Sequence, residues 1–283
     1  MQKAISKYWP VFVLPTLIAF IIGFIWPFIW GIFLSFQRFT TVSKTTFVGI
    51  QNYISVFQDS TFLHAFGFTA VFTVVSTVLI NVCAFAIALV LTRGIKGTNI
   101  FRTVFFMPNL IGGILLGYIW QILLNGVLAN LQKPLLALDA KAGFVGLVIL
   151  MCWQQIGYMM IIYVAGLQSV PGDLIEAAKI DGANKMQQIW HVTLPGIRST
   201  IVVLLILNVG QMMNIGFDRP FVIGNTMVQD YCDVISTFVY RAGIKNAQFA
   251  RATAIGLFQS VVGLVMITTA NFVSRRLGEE GIM

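Results

Sequence analysis

Six apolar runs, each long enough to cross a lipid bilayer as a helix, constrain this chain more than any motif in it. A bilayer core of roughly 30 Å needs about 20 helical residues. The runs lie at residues 9–36, 66–91, 103–124, 144–167, 195–215 and 251–273. Charged residues are 10% of the 283, where a soluble domain carries about 25%. Mean hydropathy is +0.86. The reading is an all-α polytopic membrane protein with six transmembrane helices. The net charge of +8 could suggest nucleic acid, but the basic residues are scattered at the ends of apolar runs, not gathered in a stripe with aromatics.

Orientation comes from those basic residues. Lys3 and Lys7 precede the first run. Arg93, Lys96 and Arg102, with no acid among them, occupy the short loop between the second and third runs, and Arg275 and Arg276 stand after the last. Lys and Arg are retained on the cytoplasmic side, so both termini are expected inside. The first run is too long for a signal-peptide core and leads into Gln37-Arg38-Phe39 with no small-residue cleavage site, so it reads as a retained span. Residues 37–61, 125–141 and 216–250 are then expected outside. Pro108, with Gly112 and Gly113, is expected to bend or loosen the third span.

Catalytic chemistry has no foothold. Cys83, Cys152 and Cys232 have no paired spacing, and His64 and His191 do not make a metal site. GxxxxGK[ST], HExxH and GxSxG are all absent. The chain is read as a non-enzyme without cofactor. If it pumps, a separate ATPase must bind the ATP.

Residues 176–195, EAAKIDGANKMQQIWHVTLP, form the longest polar run away from the termini that still reads as helix. Two short helices are expected to meet at Gly182. The first, 172–181, places Asp173 and Glu176 near its positive end and Lys179 near its negative end. The second runs from Ala183 to just before Pro195. Ile175, Ala178, Ile180, Met186 and Ile189 would give a face able to enter a groove on a soluble partner. The plainer alternative is a loop whose charges merely keep it out of the bilayer.

Within that stretch Glu176, Ala177, Ala178, Asp181, Gly182, Ala183, Leu194 and Pro195 stand at the offsets of the cytoplasmic "EAA" loop. On those residues the chain resembles permease subunits of ATP-binding-cassette (ABC) importers. It departs at Ile189, where an aromatic is common, and at Ser199, where a second proline is common. Val48, Gly49, Asn52, Tyr53, Asp59 and Phe62 resemble the run after the first span in the carbohydrate-uptake, maltose-type subfamily, which includes multiple-sugar and oligosaccharide permeases. Arg102, Phe106, Pro108 and Trp120 match that subfamily's third span. The resemblance implies a type I ABC importer permease fold in one domain, 1–283, with an N-terminal span at 9–36, a core at about 62–274 and the coupling loop at 172–195. It implies a bacterial or archaeal inner-membrane location and a second permease subunit in a heterodimer. It further implies two copies of a cytoplasmic ATPase on the coupling loops and an extracellular or periplasmic solute-binding protein delivering the cargo.

Polar side chains inside spans are the candidates for a cargo pathway, because a polar group in lipid is costly. They are Gln154 and Tyr158 in the fourth span, Asn208, Gln211 and Asn214 in the fifth, and Gln259 in the sixth; Asn81 lies in the second. Amides pair with hydroxyls and ring faces stack on a pyranose, which suits a sugar or oligosaccharide. The competing reading is that such amides join helices to one another. The scarcity of intramembrane acids disfavours an ion-coupled secondary transporter. With no basic residue expected inside the spans, an anion such as glycerol phosphate is also disfavoured.

Overall fold

The computed structural model of the chain describes residues 11, 13–41, 44–136, 138–213, 217–223 and 233–276. Among these, five helices are long and apolar enough to cross a membrane: Val13–Ser35 (α1), Ser60–Leu91 (α3), Gly113–Asn130 (α5), Ala140–Gln168 (α6) and Phe249–Arg276 (α12). A sixth span is formed if Lys185–Gly196 (α8) and Arg198–Met213 (α9), which meet at a bend of 69°, count as one. The expected six are therefore five helices and a bent pair. Short helices Gln51–Phe57 (α2), Thr98–Phe106 (α4), Gly172–Ile180 (α7), Asp218–Ile223 (α10) and Ile235–Tyr240 (α11) lie between them among the described residues. The fold divides into two compact units, Met1–Phe62 with Phe238–Ser260, and Leu63–Thr237 with Val261–Met283.

In the first unit, α1 is apolar on every side and almost wholly exposed, as a helix facing lipid must be. A hairpin and α2 pin its C-terminal end. The chain turns into two antiparallel strands, Gln37–Thr41 (β1) and Lys44–Phe47 (β2), with Gln37 opposite Phe47. Sequence reading leaves this hairpin unseen, because its strands are short and polar. Gly49, at φ +59°, turns the chain into α2. There the Asn52 amide donates to the carbonyls of Ser35 at 2.7 Å and Gln37 at 2.8 Å, and the Tyr53 hydroxyl donates to Ser35 Oγ at 2.8 Å. Phe57, Phe62, Phe238 and Phe258 make an edge-to-face aromatic cluster around the fully buried Phe62. Asp59 is ion-paired with Arg251.

The second unit holds the main core. Phe72, Ile80, Ala84 and Ala88 of α3 pack with Leu150, Met151, Met160 and Tyr163 of α6 and with Leu204 of α9. Without water to drive helices together, close approach at small residues and interhelical hydrogen bonds carry the association. Gly166 stands against Thr200, Gly117 against Val222 and Gly157 against the backbone of Phe105. The Tyr163 hydroxyl donates to Asn81 Oδ1 at 2.8 Å.

The structure departs from the sequence reading in three places. The third span, expected over 103–124 with a bend or loosening at Pro108, Gly112 and Gly113, is interrupted at those residues and is not one helix. It is α4, a 3-10 turn at Met107–Leu110, an extended Ile111 and then α5. Pro108 has no amide hydrogen to donate, and Gly112 at ψ 141° is non-helical, so the ladder stops and restarts. The loop expected at 125–141 is likewise shortened, because α5 runs on to Asn130. Finally, part of the segment 216–250 folds back on the bundle, which sequence reading did not foresee: α10 packs on α5 and α6 with Pro220, Val222 and Ile223 buried.

Candidate functional site: a capped elbow and a polar seam

The elbow is built from α7, a turn and α8. Asp173 sits in the first turn of α7 and Lys179 in the last, matching the helix dipole at both ends. At its C-terminus the amide of Ala183 donates to Ala178 O at 2.9 Å and that of Gly182 to Lys179 O at 3.1 Å. Gly182 adopts φ +80°, the left-handed conformation that such a termination needs. The next helix opens on a capping box: Asn184 Oδ1 accepts from the Gln187 amide at 2.9 Å, and Gln187 Oε1 accepts from the Asn184 amide at 2.8 Å. The Gln188 side chain donates back to Ala183 O at 2.7 Å. A π turn at Ile189–Thr193 leads into Leu194–Gly196 and then to the bend.

The elbow presents what a docking element requires. Glu176, Ala177, Asp181, Gly182 and Pro195 are exposed, while Ala178, Ala183 and Leu194 are half-buried. Ile180 is 86% exposed and Met186 61%. Ile175, Ala178 and Ile189, expected on the same face, are half-buried and support it from beneath. Sequence reading omitted Leu174 and Trp190, which are also exposed. A notch of about 310 Å³ lined by Ala178, Asp181, Gly182, Gln187 and His191 lies in the crook. Large apolar side chains are thus left in the open on a polar, well-capped elbow.

The pathway candidates divide. Gln154 is buried at the break between α4 and α5, and its Nε2 donates to Ile111 O at 3.2 Å. Asn109, which sequence reading did not single out, reaches Gln154 O and Gln155 Oε1, each at 3.4 Å. Tyr158, one turn on from Gln154, is at the surface of the unit. Asn208 is fully buried and donates to Leu204 O at 3.0 Å and Met159 Sδ at 3.4 Å, tying α9 to α6. Gln154 Oε1 and Asn208 Oδ1 are buried acceptors without a hydrogen-bond partner among the described residues. Gln259 is half-buried and engaged in contacts of its own. Gln211 lies in α9, but its side chain, like the whole of Asn214, falls outside the described residues. Asn81, bonded to Tyr163, serves as an interhelical join.

A cation also lies against one of the spans, although it belongs to the short helix α10 and not to a span itself. Arg219 of α10 lies against α5, where a Cβ on Gly113 would stand 3.1 Å from Asp218 Oδ2 and 3.6 Å from Arg219 Cγ. Its Nε is buried and unpartnered among the described residues. A basic group therefore packs against α5. Sequence reading missed it because nothing local shows that this segment folds back onto α5.

The family described as "Binding-protein-dependent transport system inner membrane component" matches residues 92–279. The probable starch degradation products transport system permease protein AmyD of Thermoanaerobacterium thermosulfurigenes is 34% identical over 280 residues, 96% of this chain and 94% of that one. The polygalacturonan/rhamnogalacturonan transport system permease protein YteP of Bacillus subtilis (strain 168) is 32% identical over 291 residues, covering 98% and 90%. Among solved structures, a chain of the bacterial alginate ABC transporter in complex with an alginate pentasaccharide-bound periplasmic protein superposes with a TM-score of 0.86. It is 26% identical, with coverage of 100% of this chain and 99% of that one.

Proposed function

Since the chain belongs to the family of binding-protein-dependent transport system inner membrane components, we propose that it lines part of the membrane pathway for a sugar or oligosaccharide, neutral or acidic. In this reading residues 1–283 act as one permease domain, paired with a second permease subunit in a heterodimer. Two copies of a cytoplasmic ATPase bind the ATP, and this chain catalyses nothing. An external solute-binding protein hands over the cargo, and both termini lie in the cytoplasm of a bacterial or archaeal cell.

The observation that carries the proposal is the elbow. Its two helices are capped on both sides of Gly182, so it transmits force rather than absorbing it. Glu176, Ala177, Ala178, Asp181, Gly182 and Ala183 meet the ATPase at the outer corner. Leu194 and Pro195 lead into the 69° bend that hands the motion to α9. Closure of the ATPases on ATP pushes the elbow and tilts α9 against α6, along the contact made by Asn208 and Met159. The spans then alternate between inward- and outward-facing arrangements by rocking. Gln154, Tyr158, Asn208, Gln211, Asn214 and Gln259 are the pathway candidates. The unfilled acceptors on Gln154 and Asn208 suit the hydroxyl donors of a sugar as the seam opens. Arg219 supplies a partner for a sugar acid.

The test is reconstitution. Co-expression with an ABC ATPase, a second permease and a solute-binding protein from the same organism should give ATP-dependent uptake of an oligosaccharide into proteoliposomes, lost when any one component is omitted. Uptake by the chain alone, driven by a proton or sodium gradient, would overturn the proposal. Uptake of glycerol phosphate in preference to any sugar would overturn the cargo assignment only.

A further inference from the structure

Where α3 ends, Ala86, Ile87, Val90 and Leu91 stand opposite Ile95 in the following loop and Phe101 and Phe105 of α4, lining a groove of about 380 Å³. All seven side chains are apolar. Val90, Ile95 and Phe101 are each more than two-fifths exposed, so the groove is open. Gly94 at φ +77° and Gly97 at φ +83° shape the loop, and Arg93 and Lys96 beside it are both exposed. The surroundings offer these cations little. Residues 60–138 contain no acid. Neither Arg93 nor Lys96 has an ion-pair partner among the described residues. Ile100, Val104 and Met107 on or just after α4 are likewise exposed apolar residues, as on a helix resting in the membrane interface.

The two halves of this feature ask for one kind of occupant. Apolar side chains of another membrane subunit could fill the groove but carry no charge to set against the cations. A soluble anion could neutralise them but would leave the groove empty. We infer that the groove holds an acyl chain of an anionic phospholipid whose headgroup is paired by Arg93 and Lys96. Basic pockets between membrane helices bind such headgroups by charge, and the apolar cleft fixes where the lipid sits. The site is separate from the elbow and the polar seam, and does not depend on the identity of the cargo.

The full-length chain, with its partner subunits, is extracted from nanodiscs containing equal phosphatidylglycerol and phosphatidylcholine, and retained lipid is counted by native mass spectrometry. The wild type should retain phosphatidylglycerol with about tenfold preference. Arg93→Gln with Lys96→Gln should bring the preference near parity. Val90→Trp, which fills the groove, should remove retained lipid of both kinds. Ile95→Glu gives a second reading free of any packing change in α3 and should also abolish the preference. Lys133→Gln, a cation outside the site, should behave as wild type. A double variant that keeps the wild-type preference would overturn the inference. So would Val90→Trp with undiminished lipid, or an introduced cysteine at Phe101 that crosslinks quantitatively to the second permease.

Discussion

Gly157 of α6 lies so close to α4 that a Cβ placed on it would overlap the carbonyl oxygen of Phe105 and stand 2.8 Å from the amide nitrogen of Phe106. The neighbouring atoms belong to the backbone, which cannot rotate aside as a side chain can. This approach sets the spacing of the two helices and holds the end of α4 just before the Pro108 break.

Gly157→Ala is therefore expected to destabilise the protein by about 3 kcal/mol or more, beyond ordinary overpacking. Thermal unfolding followed by fluorescence-detected size exclusion should show early melting and a low folded yield. Gly126→Ala is the control. Its Cβ would meet nothing within 4 Å, and replacing a mid-helix glycine should be neutral or stabilise by up to about 1 kcal/mol.

Tyr163→Phe leaves Asn81 Oδ1 buried without its donor. The expected cost is about 1 kcal/mol, within the range measured for hydrogen bonds between membrane helices. Adding Asn81→Leu should recover part of it, because no orphaned acceptor remains. A double-mutant cycle on unfolding in mixed micelles measures the coupling.

At the elbow, Glu176→Ala should change stability by less than about 0.5 kcal/mol, since the side chain is exposed. ATP-driven uptake should nevertheless fall at least about tenfold, with normal insertion. Gly182→Ala meets no steric obstacle, yet must hold φ +80°, which costs about 1 kcal/mol or more. The ATPase should copurify poorly with this variant. Normal uptake in both variants would remove the elbow from the coupling path.

The Asp59–Arg251 pair makes a prediction about acid. Burial by itself would raise the Asp59 carboxyl. The Thr61 amide, the Arg251 hydrogen bond and the guanidinium charge outweigh it and hold the group below its ordinary 3.8. A depressed folded value means that the stabilisation is fully present above the ordinary value and is lost as pH falls through the folded one. Melting should be unaffected by this pair from neutral pH down to about pH 5 and decline below about pH 4. Asp59→Asn should melt lower at neutral pH, and its difference from wild type should shrink with acid.

The elbow was the most legible part of the site. Its helices fall within a few residues of the expected bounds, because capping, dipole and glycine signals act over one or two turns. The capping box of Asn184 and Gln187 was missed, although an Asn with a Gln three residues later is its local signal. The seam was not readable in the same way. Gln154 and Tyr158 share a spacing of one helical turn, yet one is buried and the other exposed. Tyr163, in the same helix, carries the bond to Asn81, and nothing in its local sequence distinguishes it from its apolar neighbours.

From the sequence alone came the membrane class, the long apolar helices, the polar elbow that follows the fourth run, and the residues at its corner. Run length and turn chemistry decide these, and both are local. Tertiary structure alone decided that Asp218–Ile223 folds back onto α5, that Gly157 is a contact between backbones, and that Arg219 lies against α5. Each depends on which helix stands opposite. In a bilayer, hydrophobicity cannot specify that neighbour, because lipid and side chain are equally apolar, and shape and hydrogen bonding choose it instead.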